Sequence, residues 1–293
     1  MTLRYRQVDV FTCLPYQGNG LAVFPDGAGL SARQMLRITQ ELRQFESVFL
    51  ADTDSGRGVR ARIFTMEEEL PFAGHPVLGA AAVLHLERCP DMPRATWQFE
   101  LSERTLEVGT RLTSHGFTVT MDQGVANFGD PLTHQAARVF AMALGVKEEQ
   151  LHPDLPLQVV STGLPYLLVP LQGDIGTARI RHEHFQTLLE TIGAKFVYVL
   201  DPERPEGRTW DNQGLVEDVA TGSAAGPVAA YLAYHGRVTA PATVVVHQGA
   251  RAGRPSELRA AVRREDGALA VSVEGGVVPI GLGLLEALPP AGS

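Results

Sequence analysis

Two alanine-rich segments with no polar face constrain this chain most: Val77 to Leu86 and Val228 to Tyr234. A helix that is apolar all round has to be buried all round. Wrapping antiparallel strands about each helix is the simplest way to do so. The residues ahead of the two segments run in the same order. Arg62-Ile63-Phe64 precedes Glu69-Leu70-Pro71-Phe72-Ala73-Gly74-His75-Pro76, and Arg208-Thr209-Trp210 precedes Glu217-Asp218-Val219-Ala220-Thr221-Gly222-Ser223. Gly74 aligns with Gly222, Ala81 and Ala82 with Ala229 and Ala230, and Leu84 with Leu232. A strand, an acidic turn, a glycine with a polar neighbour and an apolar helix thus recur in order, the mark of a duplicated half.

The expected fold class is α+β, with two pseudo-symmetric lobes, each a β-barrel-like, mostly antiparallel sheet around a central helix. The N-terminal lobe is expected over residues 1–127 with its central helix near 76–87, and the last strand, about 277–288, could join it. The C-terminal lobe is expected over 128–276 with its central helix near 224–235.

Local signals fill in the rest. Ser31 and Gln34 have capping-box spacing, with Leu30 and Met35 placed for a hydrophobic staple. Thr133 is a second N-cap, and Gly145 a residue that ends the helix it starts. Pro76 suits the first position of the first buried helix. Asn127 to Pro131 reads as a turn or linker, and Pro289 to Ser293 as a disordered tail.

Composition narrows the function classes. With 293 residues, 44% hydrophobic and 20% charged, the chain has the make-up of a soluble globular protein. A net charge of −8 argues against nucleic acid or an anionic membrane surface as partner. Two cysteines, Cys13 and Cys89, are too few for a disulfide scaffold and fit a reducing compartment. No apolar run has the length of a signal peptide or a bilayer span, so a cytoplasmic location is expected.

Glycine and small polar residues at a helix entrance leave backbone N–H groups open to an anion. The pair Glu217-Asp218 just upstream of Gly222-Ser223 suggests chemistry as well as binding. Glu46 lies in an apolar run between Phe45 and Ser47-Val48-Phe49. It is either an exposed strand residue or a base whose pKa desolvation pushes up. His75 can cap its helix or act on a ligand, and Glu217 can be accounted for by an ion pair with an arginine.

The motifs Val8-Asp9-Val10-Phe11-Thr12 with Gly18-Asn19, Phe72-Ala73-Gly74-His75-Pro76, Ser161-Thr162-Gly163, and Glu217-Asp218 with Ala220-Thr221-Gly222-Ser223-Ala224 resemble the PhzF-like phenazine biosynthesis isomerase family. Gln248-Gly249 and Gly253-Arg254-Pro255-Ser256 resemble its C-terminal signature. The resemblance spans most of the chain in the right order. It implies a diaminopimelate-epimerase-like fold, a homodimer, and cofactor-free isomerisation of a small carboxylate in a cleft between the lobes. It gives Glu46 the role of general acid/base, with His75 and Asp218 assisting. Asn19, Gly74, Gly222 and Ser223 are then expected to bind substrate; no metal and no cofactor is implied. Val219 stands where the family has proline, and Arg43-Gln44-Phe45 where it has a polar run. Both departures sit beside the expected site and bear on which substrate is used.

Rival readings fare less well. A two-cysteine racemase or epimerase on the same fold needs a thiol at each helix entrance, where this chain has His75 and Ser223. Gly222-Ser223-Ala224-Ala225-Gly226 does not have the spacing of a hydrolase nucleophile elbow. His182-Glu183-His184 lacks the helical spacing of a zinc protease. A non-catalytic binder of small carboxylates would keep the two entrances without needing Glu46.

Overall fold

A computed structural model describes residues 2–53, 58–102 and 104–290. The chain divides into two compact units. One comprises residues up to 122 together with those from 274 onward; the other runs from Gln123 to Val273.

The first unit holds strands β1 (Leu3–Val10), β2 (Asn19–Phe24), β3 (Glu46–Asp52), β4 (Val59–Thr65), β5 (Glu69–Leu70), β6 (Arg94–Glu100) and β7 (Thr105–Thr113). Helices α1 (Ala32–Leu42) and α2 (Gly74–Arg88) lie among them in sequence. Strand β8 (Gly116–Val125) carries the chain into the second unit, and β17 (Ala268–Leu285) brings it back. Pairings β1–β2, β2–β3, β3–β4, β4–β6, β6–β7, β7–β8, β8–β17 and β17–β1 close an eight-stranded barrel. Only the β2–β3 and β4–β6 links among the registered pairs are parallel.

Helix α2 fills the barrel. Every residue from Gly74 to His85 is buried, and the helix packs on β1, β2, β3, β6 and β7. Of its two buried histidines, His85 is satisfied on both ring nitrogens, by Thr110 Oγ1 at 2.6 Å and the Met92 carbonyl at 2.8 Å. Amphipathic α1 lies outside and covers Phe24, Phe49 and Phe64 with Met35 and Ile38. The expected capping box starts it: Ser31 N–H donates to Gln34 Oε1 at 3.0 Å, and Gln34 N–H to Ser31 Oγ at 3.3 Å.

The second unit holds β9 (Asn127–Pro131), α3 (His134–Ala143), β10 (Gln158–Ser161), β11 (Pro165–Pro170), α4 (Phe185–Glu190), β12 (Phe196–Asp201), β13 (Glu206–Trp210) and β14 (Glu217–Asp218). Helix α5 (Gly222–Tyr234) and strands β15 (Ala242–Gln248) and β16 (Ser256–Glu265) follow. The sheet runs β9–β10–β11–β12–β13–β15–β16. Helix α5 touches β10 and β11 near one end of that run and β15 and β16 at the other, so the sheet curls round it. Outside, α3 and α4 cover Val197, Val199 and Trp210 with Phe140, Leu144, Phe185 and Leu189.

The structure corrects three local readings and places Pro227 within a helix. Asn127–Pro131 is a strand, not a turn: Phe128 faces Val160 in β10 and stacks on Tyr234 at 4.4 Å, and that packing outweighs the turn-like glycine and proline. Pro76 is the third residue of α2, after Ala73 as N-cap and Gly74 as first residue. Its missing N–H is still one of the four that a helix start leaves without a partner. Helix α5 begins at Gly222 and carries Pro227 inside it, so the proline removes a donor that the Ser223 carbonyl would otherwise receive. The tail is tied down at its start, where Gln34 Nε2 donates to the Pro289 carbonyl at 2.7 Å; residues 291–293 lie outside the described residues. Among the described residues no helix is long and apolar enough to cross a membrane.

Candidate active site

The repeat read from the sequence is a repeat of side-chain geometry. In the first unit Arg62 grips Glu69 through Nε at 2.7 Å and Nη2 at 2.7 Å, and its guanidinium lies over the Phe64 ring at 5.3 Å. In the second, Arg208 grips Glu217 through Nε at 2.9 Å and Nη2 at 2.6 Å, and lies over the Trp210 ring at 4.7 Å. Phe64 faces Glu69 across one hairpin as Trp210 faces Glu217 across the other. Each hairpin hands the chain to a buried helix whose first residue is glycine, Gly74 or Gly222. Neither Ala73 nor Thr221, the two N-caps, closes its helix with a side-chain bond. Neither helix start thus spends the side chain of its N-cap on its first-turn backbone donors. Glu217 is accounted for by its arginine.

At the first entrance Glu46, His75 and Asn19 meet, all nearly inaccessible at 6%, 4% and 3% exposure. Glu46 opens β3 immediately after α1 ends at a left-handed Arg43, and His75 is the second residue of α2. Glu46 Oε2 lies 3.3 Å from His75 Nδ1, and Asn19 Nδ2 lies 3.4 Å from the same nitrogen. Burial pushes the His75 pKa down to about 3, so the ring is neutral at pH 7 and the contact is not an ion pair. The Asn19 amide nitrogen can only donate to Nδ1 and an ionised Glu46 can only accept from it, so the tautomer decides which contact is a hydrogen bond and whether the proton is on Nε2. That nitrogen is buried without a hydrogen-bond partner among the described residues. Leaving a ring nitrogen so costs about 1–3 kcal/mol, which is the mark of a group kept for something other than stability.

At the second entrance Ser223 Oγ and Tyr166 OH are 2.6 Å apart. Asp218 Oδ2 accepts from Thr221 Oγ1 at 2.5 Å, and Oδ1 from the Ala220 N–H at 3.3 Å. Gln248 bridges the Asp218 carbonyl and the Thr221 hydroxyl. Gln123 Nε2 donates to the Gly222 carbonyl at 2.9 Å and is itself held by Thr162 Oγ1 at 3.0 Å. Among the described residues no cluster of histidine, cysteine, aspartate and glutamate is arranged to hold a metal.

The two entrances are unequal. Phe49 faces Arg62 across β3–β4, and Val199 faces Arg208 across β12–β13. Counting back to the first residue of each strand puts Phe196 where the first unit has Glu46. Ser223 stands where it has His75, and Leu70 where the second unit has Asp218. Only the first entrance pairs a carboxylate with an imidazole.

A phenazine biosynthesis-like protein family model matches residues 8–282. The chain belongs to this phenazine biosynthesis-like family. It is 31% identical over 288 residues to the trans-2,3-dihydro-3-hydroxyanthranilate isomerase of Pseudomonas fluorescens, covering 96% of this chain and 98% of that protein. An uncharacterized isomerase of Escherichia coli is 30% identical over 273 residues, covering 88% and 90% of the two chains. A solved structure of a predicted epimerase from Pseudomonas aeruginosa superposes with a TM-score of 0.91 at 47% identity, covering 97% of this chain and 99% of that one. The phenazine biosynthesis-like chain is accordingly an isomerase-type enzyme.

Within this family member, sequence reasoning named Glu46, His75, Asn19, Asp218, Gly74, Gly222 and Ser223, and the structure places each beside one of the two helix entrances. It missed Tyr166, Tyr198 and Gln123, which stand in strands whose alternating pattern reads as ordinary sheet. The available signal was burial. Gln123 is 3% exposed, and a glutamine so deep in a strand has to be bonded to something. Of the two departures from the family pattern, Val219 is half-buried and its carbonyl lies against Gly249. Arg43 is the left-handed end of α1, and Gln44 Oε1 accepts from Gln7 Nε2 at 3.4 Å.

Proposed function

We propose that this protein is a cofactor-independent isomerase that moves a proton between carbons of a small cyclic or unsaturated carboxylate, with Glu46 as general acid/base. The observation that supports it best is the buried contact at the entrance of α2. A carboxylate lies 3.3 Å from the Nδ1 of a neutral imidazole whose Nε2 has no hydrogen-bond partner among the described residues. A desolvated carboxylate can take a proton from one carbon and return it to another on the same face. A proton gained by Glu46 can rest against the Nδ1 lone pair, while Nε2–H donates to the oxygen on which enolate charge develops. Only one entrance holds such a pair, which favours a one-base proton shift over a two-base epimerase.

In this reading Asn19 and Gly74 at the first entrance and Gly222 and Ser223 at the second are the substrate-binding residues, helix starts and a hydroxyl being suited to a carboxylate, and His75 and Asp218 assist Glu46. The dihydro-hydroxyanthranilate used by the named relative is the first substrate to try. A homodimer and a cytoplasmic setting belong to the same proposal; the two free cysteines, Cys13 and Cys89, are compatible with the latter. Light scattering that gives the mass of a single chain would remove the dimer. The decisive experiment incubates the protein with trans-2,3-dihydro-3-hydroxyanthranilate and related diene carboxylates in D2O. The wild type is expected to place deuterium on carbon and Glu46→Gln to place none. Exchange retained in Glu46→Gln refutes the role of Glu46. A wild type that binds these compounds but never exchanges a proton is a carboxylate binder.

A further inference from the structure

The hydrogen bonds that join Gln248, Thr221 and Asp218 have directions that the chemistry forces. The Thr221 backbone N–H is a donor by necessity and ends on Gln248 Oε1 at 3.2 Å, so that corner of the amide is its oxygen. Nε2 must then donate, and it reaches the Asp218 carbonyl at 2.7 Å and Thr221 Oγ1 at 2.9 Å. With a lone pair taken by the amide, the Thr221 hydroxyl turns its proton to Asp218 Oδ2, 2.5 Å away. Behind Gln248 stands Tyr198, whose hydroxyl donates to Oε1 at 2.9 Å. Burial, seconded by the charge of Asp218, raises the Tyr198 pKa well above its usual value, so that proton stays in place. The chain Tyr198, Gln248, Thr221, Asp218 therefore runs one way, toward the carboxylate, through residues that are 0%, 2%, 7% and 7% exposed.

The backbone is built to hold this arrangement. Gly249, next to the amide, has φ +76°, and a Cβ there would come within 2.4 Å of both the Val219 and the Arg254 carbonyls. Glycine thus lets the end of β15 close onto the segment between Asp218 and Thr221.

We propose that Gln248 is a positioning residue: by directing the Thr221 hydroxyl it holds the Asp218 carboxylate in one orientation, as a fixed acceptor and not as a second acid/base. The inference rests on the reading of Glu46 as the acid/base. Donors on a carboxylate stabilise its charged form and weaken it as a base. Two acids with different settings then carry different roles.

The test measures kcat and KM for deuterium exchange into trans-2,3-dihydro-3-hydroxyanthranilate and solves crystal structures of the same variants. Gln248→Met and Thr221→Val are expected to lower kcat on the order of 10- to 100-fold with a smaller change in KM, since an assisting group is misplaced. Thr221→Ser keeps the hydroxyl and is expected to stay close to wild type. The structures are expected to show the Asp218 carboxylate rotated in Gln248→Met and Thr221→Val and unmoved in Thr221→Ser. This arm does not depend on which substrate is used. If Gln248→Met does not fold, the Thr221 pair carries the test. An unmoved Asp218 in the folded variants, or equal kcat for Thr221→Val and Thr221→Ser, overturns the proposal. Glu46→Gln runs in parallel. Exchange that survives there overturns the parent reading and this one together, whereas a dead Glu46→Gln beside an unaffected Gln248→Met overturns this one alone.

Discussion

Glu46 Oε2 lies 3.3 Å from His75 Nδ1, inside a barrel whose strands and central helix supply one residue each. Loss of this carboxylate should stop chemistry without unfolding the protein. Glu46→Gln keeps shape and removes the proton-accepting group, so kcat is expected to fall about 10²- to 10⁴-fold. Circular dichroism and the melting temperature should stay at wild-type values or rise. A variant that keeps more than a tenth of wild-type exchange would be incompatible with the proposed role.

His75 makes stability depend on acidity. Its pKa falls from the ordinary 6.5 to about 3 on burial. Between those values the unfolded chain binds a proton that the folded chain refuses, so stability is lost as pH drops through that window. The loss amounts to about 1.4 kcal/mol per pH unit. Above pH 6.5 the group is neutral in both states and contributes nothing to the slope. Urea midpoints from pH 7 to pH 4 should therefore fall less steeply for His75→Gln than for wild type. Parallel curves would show that the imidazole is protonated in the folded state after all.

The repeated arginine–glutamate grip should have unequal worth in the two units. Arg208 is 4% exposed in its side chain and also donates through Nη1 to the carbonyls of Ile175, Gly176 and Ala178. Arg62 and Glu69 are 31% and 37% exposed. Arg208→Met strands a partly buried carboxylate and three carbonyls, at a cost of about 3–5 kcal/mol. Arg62→Met should cost less than about 1 kcal/mol, because solvent takes over both partners. Equal shifts in denaturation midpoint for the two variants would contradict the burial argument.

Gly249→Ala combines a clash with two backbone carbonyls and a left-handed φ of 76°. The expected destabilisation is about 2–3 kcal/mol, the sum of an overpacking term and the αL penalty of a side chain. Because the clash bears on Val219, exchange activity should drop in the fraction that remains folded. A variant as stable and as active as wild type would mean that the Val219 carbonyl can move aside freely.

Much of this was legible in the sequence because it follows from composition over short stretches. A helix with no polar face dictates its own enclosure, and the repeated order of arginine, aromatic, glutamate and glycine marked the two entrances before any coordinates. Capping at Ser31 and Thr133 was equally local. Local signals failed where packing overruled them. Phe128 holds a glycine- and proline-containing stretch in a strand.

What the sequence by itself determined is the pair of apolar helices, the strands that must wrap them, and the kinds of residue at their entrances. Those follow from hydrophobic patterning and from the backbone freedom of glycine, and both act within a few residues. Only the tertiary structure decided which groups touch. It brought Gln248 onto Asp218 across 30 residues and Gln123 onto the Gly222 carbonyl across 99. It also gave His75 the neutral state and the unpartnered Nε2 on which the proposed chemistry turns. Burial and hydrogen-bond direction are properties of neighbours in space, and closure of the barrel, not order along the chain, chooses those neighbours.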